Sequence, residues 1–122
     1  MILLSEVLEI HARMIQLYGG MDGVREPELL SSALARPFQT FGGVDLYPSI
    51  FDKCAALLES IVRNHPFFDG NKRTGYTLVE LMLIEYGYEV NASEDEKYDF
   101  VIAVAEGRLA FDDIKAWIEA HT

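Results

Sequence analysis

His65-Pro66-Phe67-Phe68-Asp69-Gly70-Asn71-Lys72-Arg73-Thr74 runs directly into Gly75-Tyr76-Thr77-Leu78-Val79-Glu80-Leu81-Met82-Leu83-Ile84-Glu85-Tyr86. As a helix, the second part is apolar around almost its whole circumference, which predicts a buried central rod. The first part is the loop that opens this helix. A helix N-terminus carries partial positive charge and unpaired N–H groups, so it favours acids over cations. Lys72 and Arg73 nonetheless fall in the first turn, at a cost of a few tenths to about 1 kcal/mol each. An anion bound there would reverse that cost.

The surrounding residues suit such an anion. Asp69-Gly70 is a turn signal, and Gly70 permits φ > 0 or a close backbone approach. Gly70, Asn71, Lys72 and Arg73 can converge on phosphate. Asp69 is a hard oxygen ligand suited to Mg²⁺. His65, across the loop, supplies an imidazole, a group suited to a general base. Phosphate, metal and base together are the equipment of phosphoryl transfer. A plainer reading stands beside this one. Asp69-Gly70-Asn71 forms a turn and an N-cap, Lys72 and Arg73 are solvated charges, and His65 is an ordinary loop residue. Phe67 and Phe68 read as anchors, one or both in the core.

The order of these residues closely resembles the core motif of the Fic/Doc family, His-x-Phe-x-Asp/Glu-Gly-Asn-x-Arg. The likeness extends through Gly19-Gly20, Gly23-Val24-Arg25, Leu30-x-Ser32-Ala33-Leu34-Ala35-Arg36-Pro37, Phe41-Gly42-Gly43, Tyr47-Pro48 and Ala55-Ala56-Leu57-Leu58. It covers approximately Leu3 to Tyr88 and is similar to the Doc (death-on-curing) branch, toxins of type II toxin–antitoxin systems. The resemblance implies a single Fic/Doc domain over residues 1–122. It implies an all-α, Fic-like bundle of about six helices around the buried central helix, with a flap. It also implies transfer of the γ-phosphate of ATP, with Mg²⁺, to a protein threonine or serine, elongation factor Tu being the expected target. Translation and growth would then stop. In that scheme His65 takes the acceptor's proton. Asn71, Lys72 and Arg73 hold phosphates, and Arg73 stabilises the transferred group. Asp69 holds the metal, and Gly70 gives close backbone approach. Phe38, Thr40 and Phe41 would contact a substrate segment laid against the flap as an added strand.

Lys72 decides between reactions. Most Fic proteins with glycine before the motif arginine are similar in transferring AMP from ATP to a hydroxyl. A lysine fills the space that glycine leaves for a phosphate group and adds a charge, and the Doc branch shares it. AMP transfer to a protein hydroxyl remains the alternative enzyme reading. An inactive scaffold that binds an antitoxin is the alternative outside enzymology. The Fic self-inhibitory pattern, Ser/Thr-x-x-x-Glu-Gly/Asn, fails because Ile102 precedes Glu106-Gly107 at the required spacing. The expected partner is therefore a cognate antitoxin, a disordered segment that folds into a groove. Gly75 departs from the family, where a small residue such as alanine is common.

The rest of the chain sets limits. Its 122 residues suffice for one core, and half are hydrophobic. The net charge of −10 argues against direct nucleic-acid binding. Met1-Ile2-Leu3-Leu4 is too short for a signal peptide, and no stretch is apolar enough to span a membrane. A lone cysteine, Cys54, implies no disulfide and reads as a small core residue. The expectation is a soluble cytoplasmic protein.

Local signals place the helices. Ser5 reads as an N-cap, and Val7, Leu8, His11, Met14, Ile15 and Tyr18 recur at helical spacing up to Gly19-Gly20. His11, on that apolar face, reads as a hydrogen-bonded core histidine. Pro27–Ala35 is a short helix ended by Pro37. Arg25 beside it could pair with an acid or line the site, and the structural pairing is the expectation. Phe38 to Pro48 is a loop or small hairpin. Ser49 with Asp52, and Ser93 with Glu96, are capping boxes. The first opens a helix to Asn64, and the second a helix to Glu106. The central helix ends near Tyr86, with Gly87 as its C-cap. A last helix carries Ile114, Trp117 and Ile118, with Trp117 as a packing anchor.

Overall fold

The computed structural model describes residues 2–122. It is all-α, with six α-helices among the described residues: α1 Leu4–Tyr18, α2 Pro27–Ala35, α3 Ile50–Asn64, α4 Asn71–Glu85, α5 Glu94–Ala105 and α6 Phe111–Ala120. A 3₁₀ turn, Arg36–Phe38, links α2 to a two-stranded antiparallel hairpin, β1 Thr40–Phe41 and β2 Val44–Asp45. None of these helices is long and apolar enough to cross a membrane.

Burial nearly all round, expected of α4, belongs instead to its partner α3. Eleven of the fifteen α3 residues are buried, against seven of fifteen in α4. α4 buries a single stripe of Asn71, Thr74, Gly75, Leu78, Val79, Met82 and Leu83, at helical i, i+3/i+4 spacing. Its other side leaves Leu81 and Ile84 exposed. The two helices pack closely where Gly75 meets α3. A Cβ there would lie 3.3 Å from Cγ2 of both Ile61 and Val62. Glycine costs about 1 kcal/mol in helix propensity relative to alanine, and a Cβ there would need Ile61 and Val62 to give by a few tenths of an ångström.

Both capping boxes form as the sequence predicts. Ser5 does not cap α1. The Leu3 carbonyl already accepts the Val7 N–H, so the helix begins at Leu4 and Ser5 lies inside its first turn. α2 keeps its expected bounds, with Pro27 at the start, where no N–H is needed. Cys54 is fully buried, and burial pushes its thiol up to about 12, which leaves it inert. Trp117 stacks between Phe100 and His121, at centroid distances of 3.9 Å to each.

The capping box at α3 carries a pH-dependent term. Burial would raise the Asp52 carboxyl. Hydrogen bonds from Ser49 and the Lys115 ammonium, 3.1 Å away, outweigh burial and leave it lowered. A folded-state pKa below the unfolded one gives stability that is present above the ordinary carboxylate range. That stability is lost as pH falls through the lowered value. Asp52→Asn is therefore expected to cost about 1 kcal/mol near neutral pH. The difference from the parent protein should shrink on acidification. Urea denaturation over a pH series checks this, and a pH-independent difference would contradict it.

Candidate active site

The loop between α3 and α4 is held by a second segment, Gly19–Glu26, which follows α1. Pro66 O accepts the N–H groups of Arg25 and Glu26 at 2.8 and 3.0 Å. Val24 pairs with Phe67 in an isolated bridge, and Phe68 N donates to Gly23 O at 3.3 Å. Met21 N donates to Asp69 Oδ2 at 2.7 Å. Gly20 lies so close that a Cβ on it would come within 2.9 Å of the Asp69 Cβ.

Three side chains complete the scaffold. Phe67 is fully buried, and its ring stacks on His11 with centroids 3.8 Å apart and planes 7° from parallel. His11 Nε2 bonds Asp69 O at 2.8 Å; a carbonyl only accepts, so that nitrogen carries the proton. His11 is thus the hydrogen-bonded core histidine the sequence predicts. Asn71 is buried, and its amide bonds both main-chain groups of Phe67, Oδ1 accepting from N and Nδ2 donating to O, each at 3.0 Å. Its side chain is committed to the loop, which leaves its backbone N–H for a ligand. Sequence reasoning placed the side chain on phosphate, because nothing local shows that Phe67 turns its backbone toward it. Phe68 is half-exposed and anchors nothing deep.

The mouth of α4 is electropositive. Gly70 takes φ +79 at the N-cap, with no side-chain cap and no acid in the first turn. The first N–H groups of the helix therefore lack intrahelical acceptors. Lys72 and Arg73 are exposed and have no carboxylate partner among the described residues. The Arg73 guanidinium lies 4.3 Å above the Tyr18 ring, a cation–π contact that holds it over the opening.

These residues form one wall of a cleft of about 890 Å³, which contains Asp69, Gly70, Asn71, Lys72 and Arg73. The rest of the lining comes from the end of α1, with Met14 and Tyr18, from further along α4, with Glu80, and from α5, with Glu94, Lys97 and Tyr98. Sequence reading missed Tyr18 and the α5 residues, since only the tertiary fold brings them to the loop. Lys97 bonds Glu80 at 3.1 Å and Glu94 at 3.4 Å; the Glu80 bond raises its pKa and keeps it charged. Burial also pushes the Tyr76 hydroxyl up, with the Glu80 charge adding to it, so it remains a donor.

His65 stands outside that wall, at the other end of the loop. It is exposed, and it is the one non-glycine residue with positive φ among the described residues, at φ +50 and ψ +60. Its ring has no hydrogen-bond partner among them. The flap residues do not line the cleft either. Phe38 packs partly into the core, while Thr40 and Phe41 are exposed on the hairpin. Lys53 pins the hairpin base by donating to Tyr47 O. Asp69 keeps Oδ1 free of protein partners among the described residues. No three His, Cys, Asp or Glu side chains among these residues cluster to hold a metal. A single carboxylate fits Mg²⁺ that is carried chiefly by substrate phosphates.

A match to the Fic/DOC family spans residues 2–83, more than half of the chain. The chain belongs to the Fic/Doc family. A protein of Mycolicibacterium smegmatis named Toxin Doc is 42% identical over 101 residues, 81% of this chain and 78% of that protein. A protein of Escherichia phage P1 named Protein kinase doc is 28% identical over 110 residues, 90% of this chain and 86% of its own length. The matched residues include the loop and first turn of α4 described above.

Proposed function

We propose that the chain is a Doc-type toxin that phosphorylates a threonine or serine hydroxyl of a translation factor, with elongation factor Tu as the expected target. The observation that carries the reading is the pair Lys72 and Arg73. They are exposed, unpaired among the described residues, set on an uncapped helix N-terminus and opened into a cleft. In a chain of net charge −10, that is a local anion site. The names of the two relatives, a toxin and a protein kinase, support the same direction.

In this reading the triphosphate of ATP meets the backbone N–H groups of Asn71, Lys72 and Arg73. Lys72 offers a point charge and Arg73 a planar fork. His65 takes the proton of the acceptor hydroxyl as its oxygen bonds the γ-phosphorus. The bond from that phosphorus to the β–γ bridging oxygen breaks, and ADP leaves. Arg73 stabilises the charge spread over the transferred group. Asp69 would hold Mg²⁺ through Oδ1; when bound, that ion neutralises charge on the phosphates. The exposed hairpin edge, with Thr40 and Phe41, takes the substrate segment, and Phe38 anchors its base.

Control comes in trans, from an antitoxin segment that folds on binding. The mostly apolar groove between α1 and α4, lined by Ile2, Ile10, Leu78, Leu81 and Ile84 and edged by Glu6 and Glu85, suits an amphipathic helix with basic flanks.

The test is transfer from ATP labelled separately at the α- and γ-phosphates to purified elongation factor Tu. The kinase predicts γ-label on the target and none from the α position. α-Label would replace the reading by AMP transfer, and absence of both labels would leave a scaffold.

A further inference from the structure

We propose that Arg25 is a positioning residue for the His65 imidazole, acting through the main chain; this rests on the reading of His65 as the base. A general base is commonly oriented by a third group bonded to its second ring nitrogen. His65 has no such group among the described residues, so its backbone must do the aiming. That backbone is unusual, with φ +50 and ψ +60 immediately after the last residue of α3. Left-handed conformation at a residue other than glycine persists only when its surroundings impose it.

Arg25 is what imposes it. Its Nε donates to His65 O at 2.8 Å and its Nη2 to Asn64 O at 2.9 Å. The Asn64 carbonyl lies in the peptide plane before the His65 Cα, and the His65 carbonyl lies in the plane after it. The relative orientation of these two planes is what φ and ψ at His65 describe. One rigid guanidinium bonded to both planes therefore sets both angles, and with them the direction in which the imidazole leaves the chain. The ion pair expected of Arg25 is only a 3.5 Å approach to Glu26. Its side chain is 40% exposed, so removing it leaves no buried charge without a partner. The main-chain bonds of residues 25 and 26 to Pro66 are independent of the side chain and keep the segment docked.

A simpler role also exists for a cation at this place. The last carbonyls of a helix lack partners, and any positive charge there favours the dipole. Arg25→Lys separates the two roles. It keeps the charge but cannot hold two carbonyls in one rigid fork.

The test compares the parent protein with Arg25→Lys and Arg25→Ala in two ways. The His65 amide-to-Hα coupling and backbone carbon shifts report its φ without any reaction. Steady-state transfer of γ-label reports catalysis. Both variants are expected to lose the left-handed signature at His65. kcat should fall about 10-fold or more in Lys and roughly 30-fold or more in Ala, with KM for MgATP within about 3-fold. The melting temperature of the Lys variant should stay near that of the parent, and millimolar guanidinium should restore part of the lost rate in Ala. An unchanged His65 conformation in Arg25→Ala, or lowered stability with full kcat, would overturn the proposal. If the parent itself transfers no γ-label, the kinase reading falls, and the conformational arm still decides the role of Arg25.

Discussion

His65→Ala is expected to lower phosphoryl transfer by about 100-fold to 10,000-fold, the range contributed by a positioned general base. Growth arrest on expression should disappear with it. The fold should survive. His65 is exposed, and its ring bonds nothing among the described residues, so removal leaves neither a cavity nor an orphaned partner. Only the strained backbone position remains, which alanine tolerates somewhat less well than histidine. Stability should therefore stay within about 0.5 kcal/mol of the parent, as for most surface substitutions. The Arg25 fork and the Asn71 clamp on Phe67 stay in place, so nucleotide affinity should hardly change. A folded variant that retains transfer would remove His65 from the chemistry, and one that unfolds would contradict the expected tolerance of the fold.

Lys72→Glu should move stability and binding in opposite directions. An acid in the first turn of α4 complements the helix dipole, where the lysine opposes it, so the unliganded fold should gain about 0.5–1 kcal/mol. No salt bridge is lost, because Lys72 has no carboxylate partner among the described residues. The same change places a negative charge against the phosphates. Losing a charge-assisted bond worth about 1.5–3 kcal/mol and adding repulsion should weaken MgATP by roughly 100-fold or more. Urea denaturation and calorimetric titration measure the two effects. A rise in stability with unchanged affinity would mean that Lys72 is only a solvated surface charge. The opposition is the signature of a residue kept for binding at the expense of the fold.

Local signals made much of the fold legible in advance. Pro27 at a helix start, Ser49 with Asp52 and Ser93 with Glu96 each act within one turn, and all three helix starts lie where those residues put them. The apolar face of α1 likewise announced a buried, bonded His11. What the sequence concealed is set by contacts between distant segments. α4 reads as apolar all round, yet its Leu81 and Ile84 stay exposed, because α3 occupies the centre and covers only one stripe of it. Asn71 and Lys72 are neighbours that both read as phosphate binders in the sequence. In the fold one turns inward to the Phe67 backbone, while its neighbour turns out to the cleft. Tyr18 reaches Arg73, and Arg25 reaches Asn64 and His65, across tens of residues. Ser5 was misread for the opposite reason: a good capping residue is passed over when the preceding carbonyl already starts the helix.

The most direct measurement is a titration of MgATP into ¹⁵N-labelled protein, followed by amide spectra. A phosphate cradle at the mouth of α4 predicts saturable shifts greatest at Gly70, Asn71, Lys72 and Arg73, weakened by salt and absent in Lys72→Glu. Saturable shifts confined to other surfaces, with those four amides unmoved, would contradict it.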